Sequence, residues 1–161
     1  MLMTQLTIFK KQKGFSLLEV MIAMVILSIG LLGLAGLMAQ STQFNNSAQY
    51  RTQATYLAYD MLDRMRANPT EARDPNLNYN MNFGETPGTT TCYATTCSSS
   101  QLATADKDQW LSSVQDLLPG GDGKVTHITT TATTIFVIEI QWNDPVSADG
   151  APTLFSLRTE L

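Results

Sequence analysis

Apolar positions fall into three patterns along the chain. From Val20 to Ala39 they are almost continuous, twenty residues with no charge and no proline. About 20 helical residues span the hydrocarbon core of a bilayer. From Tyr50 onward they thin to a stripe. Tyr50, Ala54, Leu57, Met61 and Met65 recur at steps of four, three, four and four, which is one face of an α-helix. Arg51, Asp60, Asp63 and Arg64 lie mostly off that stripe. Asn68-Pro69 ends the run, because a residue before proline is pushed out of the α region. Phe15 to Ala67 is therefore predicted to be one helix of about 80 Å, at roughly 1.5 Å per residue. Its first half suits an apolar medium, and its second half suits the surface of a globular domain.

The third pattern begins past Pro69. Residues 71–104 are rich in Asn, Thr, Ser, Gly and Pro and read as an irregular surface segment. Asp106–Leu118 reads as a short helix: an acidic start, Trp110, Val114, Leu117 and Leu118 on one face, and Pro119-Gly120-Gly121 as the stop. Lys124–Ala132, Thr133–Trp142 and Thr153–Glu160 are rich in β-branched and aromatic residues and read as strands, with residues 143–152 as the turn between the last two. The expected class is α+β: a long N-terminal helix covering one face of an antiparallel sheet of three or four strands.

Charge adds a direction. The formal net charge is −4, but the first fourteen residues carry Lys10, Lys11 and Lys13 and no acid. The remainder, from Phe15 on, therefore holds −7. A mildly acidic body without a basic face excludes nucleic-acid binding as a main activity. The lysines directly precede the apolar run, so the positive-inside rule keeps them cytoplasmic and places the chain beyond the run on the exported side. Two cysteines, Cys92 and Cys97, lie in the exported part, where an even count suggests a bridge. Closing so short a loop is worth on the order of 2 kcal/mol.

The apolar run is too long for the 7–15-residue core of a disposable secretory signal. It also has Glu19 near its start. An ionisable group inside an apolar segment costs roughly 2.5–3.5 kcal/mol, and marks either a functional site or a side chain snorkelling to the interface.

Lys13-Gly14-Phe15-Ser16-Leu17-Leu18-Glu19 resembles the cleavage and methylation motif of type IV prepilins. The resemblance implies the pilin fold, with residues 1–14 as leader, 15–39 as the membrane and filament-core helix, 40–68 as its amphipathic continuation and 69–161 as the periplasmic domain. It implies that a peptidase and methyltransferase removes the leader after Gly14 and N-methylates Phe15, with Glu19 serving subunit assembly. A positive α-amino group at Phe15 and a carboxylate four residues on would share one helix face. Opposite charges at contact distance attract by about 4 kcal/mol at an effective dielectric of 20. The pair forms within one chain or between neighbouring subunits, and the resemblance favours the second. Gly30, Gly33 and Gly36 fit either close helix packing or a soft segment that unwinds.

Downstream, residues 30–37, the Tyr56–Met65 stretch with Asn68-Pro69, the two cysteines, Asp108-Gln109-Trp110, Leu118-Pro119-Gly120-Gly121 and the terminal Trp142 and Arg158 are similar to the PilV subgroup of minor pilins, the type IV pilus modification proteins. That similarity implies a low-abundance subunit that helps initiate pilus assembly near the filament tip. Its partners would be other minor pilins and the major pilin, at the inner membrane and then in the pilus. A type II secretion pseudopilin and a helix-tethered periplasmic binding module are the competing readings.

No cofactor, metal, catalytic site or small-molecule substrate is expected. His127 has no Ser or Cys partner nearby in sequence, and Gly120-Gly121-Asp122-Gly123-Lys124 lacks the spacing and hydroxyl of a phosphate loop. Asp106 and Asp108 read as helix-start acids rather than calcium ligands. The Thr129–Thr134 run reads as a strand with an exposed hydroxyl face, and the methionines as fillers of apolar faces.

Overall fold

The computed structural model describes residues 14–74, 78–90, 92, 96–129, 134–147 and 149–160. The leader residues before Gly14 and the Thr130–Thr133 part of the threonine run lie outside the described residues. The elements run α1 (Leu17–Ala67), α2 (Pro69–Ala72), α3 (Ser99–Leu117), β1 (Asp122–Thr129), β2 (Thr134–Trp142) and β3 (Thr153–Glu160). The residues divide into two units at Ser41/Thr42, and α1 contributes to both.

In the first unit α1 is mostly apolar, and its residues from Leu17 to Ser41 are all exposed. Its most apolar 18-residue window has a mean hydropathy of 2.6 and none of it is buried. By length and composition it can cross a membrane. Gly30, Gly33 and Gly36 are helical, with open space where a Cβ would stand.

In the second unit α1 turns amphipathic, and the stripe is its buried face. Ala54, Leu57, Met61 and Met65 are buried, joined by Ala58 and Leu62. Tyr50 packs half-covered at the rim. The helix ends at Ala67, before Asn68-Pro69, and the proline then opens the four-residue α2 at its first turn, where a missing N–H costs nothing.

The sheet is antiparallel in the order β1-β2-β3. Register places Val125, Ile138 and Leu157 side by side, and likewise Gly123, Ile140 and Phe155. These alternate positions face the core, together with Phe136 and Trp142. Trp110 of α3 ties the layers together. It is fully buried, and its indole N–H donates to the Leu57 carbonyl of α1 at 2.7 Å. Its ring occupies the space a Cβ at Gly123 would need, 2.4 Å away, so glycine is required there.

Several boundaries differ from expectation. α3 begins at Ser99, not Asp106. Ser98 caps it: its hydroxyl accepts from the Gln101 amide, and the Gln101 side chain accepts from the Ser98 amide. Asp106 and Asp108 are therefore mid-helix rather than helix-start acids. Leu117 is 49% exposed, and Leu111 joins Trp110, Val114 and Leu118 in the core instead. β1 opens at Asp122, two residues early, and β2 at Thr134. Pro119-Gly120-Gly121 stops α3 as expected: Gly120 has φ +61, and the Gly121 amide donates to the Leu118 carbonyl.

Candidate functional site

The entrance of α1 carries the residues singled out by the motif. Gly14, Phe15 and Ser16 precede the helix and are exposed, with Phe15 84% accessible. The first helical residue is Leu17, so Phe15 lies outside the regular helix rather than opening it. Ser16 takes the capping position, and its carbonyl accepts from the amides of Glu19 (3.0 Å) and Val20 (3.3 Å). Ser16-x-x-Glu19 is itself a helix-start pattern, a local signal beneath the family motif. Glu19 occupies the first turn, where unpaired backbone N–H groups favour a carboxylate. Phe15 and Glu19 still border one shallow groove, with Val20, Ala23, Met24 and Leu27 along it. The entrance thus presents an accessible Gly14-Phe15 bond and an acid one turn further on. Beyond it, Leu31, Leu34 and Leu37 continue an exposed apolar surface.

In the second unit the loops are tied down by carboxylates. Asp106 accepts from the buried Tyr79 hydroxyl at 2.7 Å and pairs with Arg64 at 3.3 Å. Burial and that hydrogen bond both raise the Tyr79 pKa. Burial works against the charge on Arg64, but Asp60 and Asp106 outweigh it and hold its pKa above the ordinary value. Asp108 accepts from the amides of Gly88 and Thr90. Cys92 and Cys97 form a disulfide, with Cα atoms 5.7 Å apart. The 71–104 segment is thus held by side chains, and it is less irregular than expected, since α2 and the first turns of α3 belong to it.

The loop after β2 is latched to α1. Asp144 accepts from the Ser47 hydroxyl at 2.7 Å and the Val146 amide at 3.1 Å, and lies 3.8 Å from Arg51. Burial alone would raise the pKa of this carboxyl, but those three partners lower it below the ordinary value. His127 stands on the inner side of β1, 3.0 Å from the Asn80 side-chain oxygen and against Phe136. Burial lowers its pKa. Among the described residues no group of three or more His, Cys, Asp or Glu is arranged to hold a metal ion. Of the residues singled out, Gly14, Phe15 and Glu19 come together at the helix entrance, and Cys92 and Cys97 come together as a bridge.

Comparison with known proteins gives two matches. Residues 9–35 match the family described as Prokaryotic N-terminal methylation motif, and residues 36–108 match the family described as Type IV pilin Tt1218. The two are contiguous and together cover the helix entrance, all of α1 and half of α3. No curated protein and no solved structure matches the chain significantly.

Proposed function

This chain is a type IV pilin-like protein, and from that premise we propose that it is a minor pilin of the PilV kind, which helps to initiate type IV pilus assembly and is incorporated in or near the filament tip. The family is one of structural subunits, and its motif implies processing by a prepilin peptidase in a pilus-assembly setting. The supporting observation is the uncovered apolar first part of α1, placed directly after an accessible Gly14-Phe15 junction. A 0%-buried apolar helix needs lipid, then other helices, as its solvent.

In this reading the lysines stay in the cytoplasm and the Thr42–Leu161 unit is exported to the periplasm. The peptidase cuts after Gly14, and Phe15 becomes an N-methylated terminus. Cleavage also places a positive charge within a turn of Glu19. Between neighbouring subunits, that pair would set the axial stagger as the helices bundle. The 71–104 and 143–152 surfaces would face other pilins. The downstream features similar to PilV, such as Asp108-Gln109-Trp110, favour a pilus subunit over a secretion pseudopilin.

Glu19→Ala tests the pairing. Leader removal should remain largely intact while incorporation into pili drops. Normal incorporation of the variant would sink the charge-pairing step. Deleting the gene should reduce surface pili and twitching, and unchanged pilus counts would sink the priming role.

A further inference from the structure

The two edges of the sheet are finished differently. The outer edge of β1 is covered by the segment around Met81. Met81 and Val125 exchange two backbone hydrogen bonds, at 3.0 and 3.1 Å, and the Gly84 amide donates to the Asp122 carboxylate. The core residue behind that edge, Val125, is fully buried. The outer edge of β3 has no such cover: among the described residues, no backbone group pairs with it from outside. Its core-facing residues Phe155 and Leu157 are only half-buried, although their β2 neighbours Ile140 and Ile138 are fully so. Of the usual edge protections, β3 has only two outward charges, Arg158 and Glu160. Over eight residues it has no proline, no glycine, no bulge in its register and no inward charge.

We infer that β3 is an acceptor edge, completed by an extended segment of a different polypeptide that pairs along Thr153–Glu160. Alternate apolar residues of that segment would cover Phe155 and Leu157, and an acidic residue would meet Arg158. Backbone pairing supplies affinity in this mode, and alternate side chains supply selectivity. The acidic preference stems from Arg158, which is exposed on the outer face of β3 and has no ion pair among the described residues. A second copy of this chain is the competing occupant, and the exchange experiment below separates the two. The open edge does not depend on the pilin reading.

The probe is a fluorescein-labelled eight-residue peptide of alternating valine and threonine with one central glutamate, added to the full chain in detergent micelles. It should bind and slow hydrogen exchange at the β3 amides while leaving those of β1 unchanged. A lysine-for-glutamate peptide should bind about fivefold more weakly, the size of one cross-strand charge preference. Arg158→Glu should reverse that preference and Arg158→Lys should keep it. Absence of β3 protection with either peptide would overturn the proposal, as would a preference that Arg158→Glu leaves untouched. β3 amides already protected in a self-associated chain would assign the edge to a second copy and also overturn it. None of these readouts depends on leader cleavage, so the pilin reading stands or falls separately.

Discussion

The two parts of α1 are the same secondary structure solving opposite problems. Up to Ser41, apolar side chains point in every direction and none of the most apolar stretch is buried. Past Thr42, apolar side chains fall on one stripe, and Ala54, Ala58, Met61 and Met65 reach zero exposure. Helix propensity does not distinguish them; the medium each part needs does. The second part carries its own solvent in α3 and the sheet, and the first must find one outside its own unit. Stability of the folded domain should therefore depend on one part, and retention at a membrane on the other.

The largest break in that contrast should come from Trp110→Ala. It empties a fully buried site and removes the hydrogen bond to Leu57, so thermal or urea unfolding of the Thr42–Leu161 unit should lose about 3–5 kcal/mol. A loss under about 1 kcal/mol would mean that the indole does not hold the layers together.

A matched pair comes next. Leu62→Ala should cost about 2–5 kcal/mol of domain stability, because Leu62 is 2% exposed. Leu27→Ala, at 62% exposure in the first part, should leave that unfolding unchanged in micelles. Equal losses would erase the distinction between the two parts.

Tyr79→Phe should cost about 1 kcal/mol, since it deletes the hydroxyl bonded to Asp106 while Arg64 remains as partner. Asp144 gives the smallest effect and a pH signature. Its folded pKa lies below the ordinary 3.8, so the latch stabilises the fold above about pH 4. That contribution fades as pH falls through the lowered folded value. The stability gap between the parent chain and Asp144→Asn should therefore shrink in acid, and a gap that widened would reverse the assignment.

Much of this architecture is legible in the sequence. The apolar run, the Tyr50–Met65 stripe and the β-branched segments are local patterns, and each comes from a period or a length. The start of α3 is harder to see because Ser99, Ser100 and Thr104 read as loop, although Ser98-x-x-Gln101 is a helix-start signal lying in plain view. The roles of Asp106, Asp108 and Asp144 cannot be read from spacing. Their partners Tyr79, Gly88 and Ser47 stand 27, 20 and 97 positions away, and only the fold brings them within hydrogen-bonding distance. The open β3 edge is hidden for the same reason: a strand's neighbours are a property of the sheet. At the helix entrance, Gly14, Phe15 and Glu19 are legible through motif resemblance, while the capping position of Ser16 emerges from the helix boundary.

The whole account rests on the uncovered apolar part of α1 remaining in the mature protein. Mass spectrometry of the N-terminal peptide from the membrane or pilus fraction tests this directly. The account predicts a mature chain beginning at an N-methylated Phe15. A product that keeps Met1, or one released into the periplasm after cleavage beyond Ala39, would contradict it.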